Sequence, residues 1–165
     1  KYKMIVVSNT TPLIGLASIQ RFDLLQKIFG EVHIPQAVND EVMTGRDKKK
    51  IKGTVEITSA TWLKIVPVND RIAVEVLLDE LDLGESETIV LARELNANWV
   101  VMDEKKGRRK LGQMGLNKIG TVGVLLKAKE MKLIPNIRPE LEQLHKNGFS
   151  LSQLVIEMAV RQAGE

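Results

Sequence analysis

The chain has 165 residues, 44% apolar and 27% charged, with a formal charge of +3, which describes an ordinary soluble protein with room for a substantial core. It contains no cysteine, which excludes a disulfide framework and any Cys-based zinc site. No run approaches the ~18 apolar residues of a membrane span and no signal-peptide pattern opens the chain, so a cytoplasmic protein of one domain, 1–165, is expected.

Met4-Ile5-Val6-Val7 is apolar and mostly β-branched, the pattern of a strand buried on both faces. It stops at the polar corner Ser8-Asn9-Thr10-Thr11. Thr10 or Thr11 is expected to cap a helix whose first turn holds Pro12, where the missing N–H costs nothing. Leu13 to Ala17 and Phe22 to Phe29 predict two short helices ending at Gly30. Glu31 to Ile34 is a short strand, and Pro35 starts a helix carrying Ala37, Val38, Asp40, Glu41 and Val42. Thr44 to Lys50 reads as a polar, basic loop, with Lys48 to Lys50 a solvated charge run, followed by an amphipathic segment from Ile51 to Thr58. Trp62 to Val68 predicts a peripheral strand, because Pro67 breaks it. Ile72 to Leu81 has helical spacing.

Gly84 punctuates the next stretch, and the helix after it opens with Glu85 and Glu87, acids that favour a helix N-terminus. Asn98 to Met102 is another buried strand, ending in Asp103-Glu104. A basic helix follows directly, with Lys105, Lys106, Arg108, Arg109 and Lys110. Asn117 to Gly120 is a last short strand, after which Thr121 can cap a helix from Val122 to Met131. Helices over about Arg138 to Lys146 and Leu151 to Gln162 complete the chain. Strands alternating with helices imply an α/β parallel sheet.

In such a sheet ligands bind at the carboxyl ends of the strands. Asn9 and the Asp103-Glu104 pair follow buried strands, while Glu41 and Glu85 lie near helix starts expected to face the same edge. Oxygen ligands there, with no Cys and with His33 and His145 far apart in sequence, suit Mg²⁺ or Mn²⁺. Two such ions can activate water and stabilise a leaving oxygen in phosphodiester hydrolysis. The plainer alternative is that Glu85 and Glu87 complement a helix dipole and Asp103-Glu104 cap the basic helix. Cations beside an acidic pocket are what a phosphate backbone requires, so Lys105, Lys106, Arg108 and Arg109 are nucleic-acid candidates. Gly120-Thr121-Val122-Gly123 lacks the length and lysine of a P-loop and reads as a turn and cap.

Taken in order, several stretches resemble a PIN domain, the nuclease fold of many prokaryotic toxin–antitoxin toxins. They are Val6 to Ile14, Val32 to Pro35 with Glu41-Val42, Leu81 to Glu87, Val100 to Glu104, and Ile119 to Leu125. The resemblance spans almost the whole chain, closest to a little-characterised PIN-like branch. It implies a three-layer α/β/α fold with a central parallel sheet and a cluster of acids around Mg²⁺ or Mn²⁺. It further implies cleavage of single-stranded RNA, a homodimer, and inhibition by a cognate antitoxin protein. Glu41 matches the second acid of the family, Glu85 the third, and either Asp103 or Glu104 the fourth. The first is usually Asp, and here it is Asn9, which keeps an oxygen but removes a charge. The alternative is a PIN-like protein without chemistry that binds nucleic acid or protein; a receiver domain fits less well, because Ser8-Asn9-Thr10 offers no phosphorylatable Asp.

Overall fold

The computed structural model describes residues 4–44 and 51–165. The basic stretch Arg46 to Lys50 lies outside the described residues.

Five short parallel strands form the sheet: β1 Val6–Ser8, β2 Val32–Ile34, β3 Leu63–Ile65, β4 Trp99–Val101 and β5 Lys118–Ile119, in the order β3-β2-β1-β4-β5. Val6 and Val7 are fully buried yet belong to different cores, because successive side chains point to opposite faces. Val101 joins Val6, Val32 and Ile34 on one face; Val100 joins Val7 on the other. Helices cover both faces, giving the expected three-layer α/β/α arrangement. The edge position of β3, with Ile65 half exposed, agrees with the peripheral strand expected before Pro67.

On the side of the larger core lie α1 Thr10–Ser18, α2 Leu24–Phe29, α4 Ile51–Ser59, α8 Thr121–Glu130, α9 Arg138–Lys146 and α10 Gln153–Gln162. The second core is closed by α5 Arg71–Leu77, α6 Leu83–Glu94 and α7 Lys105–Gln113. Helix α3 Gln36–Thr44 follows β2 and packs on α1, α4 and α6. No helix among the described residues is long and apolar enough to cross a membrane.

Four boundaries differ from the sequence reading. Helix α1 begins at Thr10 with Asn9 as N-cap, so neither Thr10 nor Thr11 is the cap; their hydroxyls are used elsewhere. Helix α5 stops at Leu77 rather than Leu81. Gly84 lies inside the first turn of α6, whose N-cap is Asp82. Thr121 is the first residue of α8, with Gly120 at the cap position.

The chain runs outward from β1 to β2 and β3 and then returns to β4 on the other side of β1. The winding direction reverses between β1 and β4, so a crevice opens where their carboxyl ends meet. The pairing continues one residue past β1, as Asn9 N donates to Val101 O at 3.2 Å. Asn9 is thereby fixed at the crevice.

Candidate metal centre and adjoining cleft

Asn9 is 3% exposed. Its Nδ2 donates to Glu104 Oε2 at 2.8 Å, and the Thr11 hydroxyl donates to Glu104 Oε1 at 2.7 Å. With Nδ2 so committed, Asn9 Oδ1 is buried and has no hydrogen-bond partner. A buried carbonyl oxygen left unsatisfied costs about 1–3 kcal/mol, so Oδ1 is an acceptor that a water or a cation would satisfy.

Glu41 reaches the same crevice from α3. Thr10 Oγ1 donates to its Oε2 at 2.6 Å. Its Oε1 lies against Gly84, where a Cβ would overlap it and come within 3.0 Å of its Cδ. The glycine in the first turn of α6 is therefore what allows the Glu41 carboxyl to pass between α1 and α6.

Glu85 is half-buried and forms a reciprocal cap with Asp82: its N–H donates to Asp82 Oδ1 at 2.8 Å, and the Asp82 N–H donates to its Oε1 at 3.0 Å. Burial raises its pKa above the ordinary glutamate value; the bond from Asp82 works against this, and the charges of Asp82, Glu104 and Glu41 add to it. Glu85 therefore feels the charges of both Glu41 and Glu104.

Asp103 points elsewhere. Its Oδ1 accepts from Thr121 N at 2.8 Å and its Oδ2 from Thr121 Oγ1 at 2.7 Å, so it caps the start of α8. Its pKa is also raised, first by burial and then by Glu104, against the pull of the Thr121 bonds and of Arg108. Glu87, five percent exposed, is structural: Oε1 accepts from Ala37 N at 2.9 Å at the start of α3, and Oε2 pairs with Arg71 Nη1 at 2.7 Å.

Most basic residues of α7 share one side of the helix: Lys105, Lys106 and Arg109 are exposed there at three- and four-residue spacing. Lys110 sits 3.8 Å from Glu80. Arg108 turns inward, its Nη1 donating to Met102 O at 2.9 Å beside Asp103. There it borders a cleft of about 420 Å³ with Lys118, a cation that the sequence reading did not single out. The hydroxyls of Thr10 and Thr11 were likewise missed, because their partners are distant in sequence. His33 and His145 each face a backbone carbonyl, of Val6 and Leu151 respectively.

Among the described residues no three acid or imidazole side chains stand close enough to hold a metal ion as they are positioned. The donor types nevertheless suit a hard divalent cation: Glu85, the two carboxylates whose charge it feels, and the buried amide oxygen of Asn9 are all oxygen donors.

A family model described as PIN domain matches residues 5–165 of the chain. No curated protein matches it.

Proposed function

The chain belongs to the PIN-domain family, a nuclease fold, and from that premise we propose that it is a Mg²⁺- or Mn²⁺-dependent ribonuclease acting on single-stranded RNA. One observation carries the reading: Glu85 feels the charges of Glu41 and Glu104 at the β1–β4 crevice, where Glu104 also binds Asn9, whose Oδ1 is buried without a partner. Those four residues would hold the cation, with Asp103 positioning α8 next to them.

Bound there, a divalent ion supplies positive charge to the phosphate oxygens and to the attacking water. The reaction adds water across a phosphodiester, breaking one P–O bond and leaving the proton on the departing oxygen. Thr10 and Thr11 hold the carboxylates of Glu41 and Glu104 in place before any ligand arrives, which reduces the ordering cost of binding. The raised proton affinity of Glu85 means that protons and cations compete for it. Lys105 and Arg109 present a cationic face to the phosphate backbone outside the crevice. The same reading includes a homodimer and a cognate antitoxin.

A second reading has its own support. Asn9 gives Glu104 a neutral hydrogen-bond donor where the family pattern has an acid, so the carboxylate is partly satisfied without metal. On this reading the protein binds RNA or a protein partner and does not cut.

Calorimetric titration of Mn²⁺ into the purified protein, alongside cleavage of an unstructured RNA, separates the two. The nuclease reading expects saturable binding and metal-dependent cleavage, both lost in Glu41→Gln. Binding of RNA without any cleavage at saturating Mn²⁺ supports the second reading and overturns the first.

A further inference from the structure

The cleft beside Asp103 lies between α7, β5, the start of α8 and the turn before α10, and it has a composition of its own. Arg108 and Lys118 supply two cations, Gly120 and Gly123 its open floor, and Phe149 an aromatic wall. Arg108 uses Nη1 on Met102 O, and no other bond from its guanidinium to the protein is present among the described residues. Lys118 is half-buried and has no carboxylate within salt-bridge distance among the described residues. The one carboxylate in the cleft, Asp103, has both oxygens hydrogen-bonded by Thr121 and feels the charge of Arg108. Two cations against one carboxylate leave the lining of the cleft with a net positive charge.

The floor is kept low by the sequence. A Cβ on Gly120 would stand 2.9 Å from Asp103 Oδ1 and 3.3 Å from Arg108 Nη1, displacing both. The Phe149 ring is anchored from behind, since it lies against Gly15 at the distance where a Cβ there would collide with it, 2.8 Å. It is half-buried, with the remainder facing the cleft. A fixed aromatic surface beside two cations fits a ligand that is anionic at one end and flat at the other. The volume, about 420 Å³, accommodates one nucleotide.

We propose that this cleft is a subsite for one nucleotide of the RNA strand, its phosphate held by Arg108 and Lys118 and its base against Phe149. This rests on the nuclease reading for the identity of the strand and deepens it: the nucleotide adjoining the scissile bond is gripped on the Asp103 side of the crevice. Base stacking on an aromatic side chain tolerates every base, so the subsite contributes affinity and register rather than sequence preference.

The probe is uridine 5′-monophosphate, which has no internucleotide bond, titrated into the full chain with metal chelated and followed by the amide resonances of Gly120 and Gly123. Both are expected to move, with Lys118→Gln weakening binding roughly tenfold and Phe149→Leu weakening uridine monophosphate but not inorganic phosphate. Amides that stay still, or titrations unchanged by Lys118→Gln, overturn the subsite even if the protein cleaves RNA. Inorganic phosphate binding as tightly as the nucleotide reduces the cleft to an anion site and overturns the base contact. Nucleotide binding that behaves as expected in a protein that cuts no RNA keeps the subsite and removes the nuclease reading instead.

Discussion

The amide of Asn9 and the carboxylate of Glu104 meet at 2.8 Å, with Nδ2 donating to Oε2, so a neutral side chain serves as Glu104's hydrogen-bond donor at the end of the central strand. The opposite amide orientation would set Oδ1 against a carboxylate, so the network itself fixes which atom faces Glu104. The same contact leaves Oδ1 buried and unsatisfied. One residue therefore quiets a neighbouring acid and presents an acceptor.

Asn9→Asp follows from that contact. It replaces a charge-assisted hydrogen bond, worth about 1.5–3 kcal/mol, with acid–acid repulsion. Without metal the variant should melt earlier than wild type, and Mn²⁺ should reverse the loss through linkage while raising any cleavage activity. Melting curves with and without Mn²⁺ check it; equal responses of variant and wild type to the metal would remove Asn9 from the site.

Glu85→Gln tests ligand against cap. The amide oxygen can still accept from the Asp82 N–H, as Glu85 Oε1 does at 3.0 Å. Folding should change by no more than about 0.5 kcal/mol, the usual range for a surface substitution that preserves its contacts. Mn²⁺ affinity should fall at least tenfold. A preserved isotherm would mean that Glu85 only caps α6.

Gly84→Ala separates stability from function at one position. Replacing glycine in a helix ordinarily stabilises by about 0.5–1 kcal/mol. Here the new methyl must push the Glu41 carboxyl aside, and a long side chain yields more readily than backbone. Stability should stay within about 1 kcal/mol of wild type while Mn²⁺ binding drops. Unimpaired metal binding would show that Glu41 is not a ligand.

Glu87→Gln should do the reverse. Its carboxylate is buried between Ala37 N and the guanidinium of Arg71, and loss of charge weakens both contacts. Because Arg71 is largely exposed, the expected cost is about 1–2 kcal/mol rather than that of a fully buried pair. Metal binding should be untouched. Denaturant melts and the Mn²⁺ isotherm of the variant decide between this structural role and a place in the site.

The raised pKa values of Glu85 and Asp103 have a definite consequence for stability. Between the ordinary carboxylate values, 4.5 and 3.8, and the raised folded values, the native state binds more protons than the unfolded one. These two groups therefore make stability fall as pH rises through that window. Glu157 and Glu165, whose values are lowered, act oppositely. The double variant Glu85→Gln with Asp103→Asn should lose the descending component, and added Mn²⁺ should diminish it in wild type. Urea melts across the acidic range measure both; a double variant with the wild-type pH profile would contradict the cause assigned here.

Much was legible in local pattern. Continuous β-branched runs marked β1 and β4 because strands buried on both faces need no polar alternation, and the strand–helix alternation marked the parallel sheet. Asn9 and Glu104 could be assigned to one edge before any contact was known, since parallel strands end on the same side. Helix starts were less legible. Thr10 and Thr11 read as caps from local preference alone, but their hydroxyls bond to Glu41 and Glu104, residues 31 and 93 positions away.

The difference between Asp103 and Glu104 belonged to the tertiary structure alone. Adjacent residues leaving a strand point in different directions, and only the packing of α8 against one and of α1 against the other directs Asp103 to Thr121 and Glu104 to Asn9. Gly84 likewise read as punctuation between helices, although its missing Cβ is what admits Glu41. By itself the sequence determined which chemical groups arrive at the crevice, since periodicity and strand polarity are local properties. Which of their oxygens are already taken depended on contacts between residues far apart in the chain, and those exist only once the layers have packed.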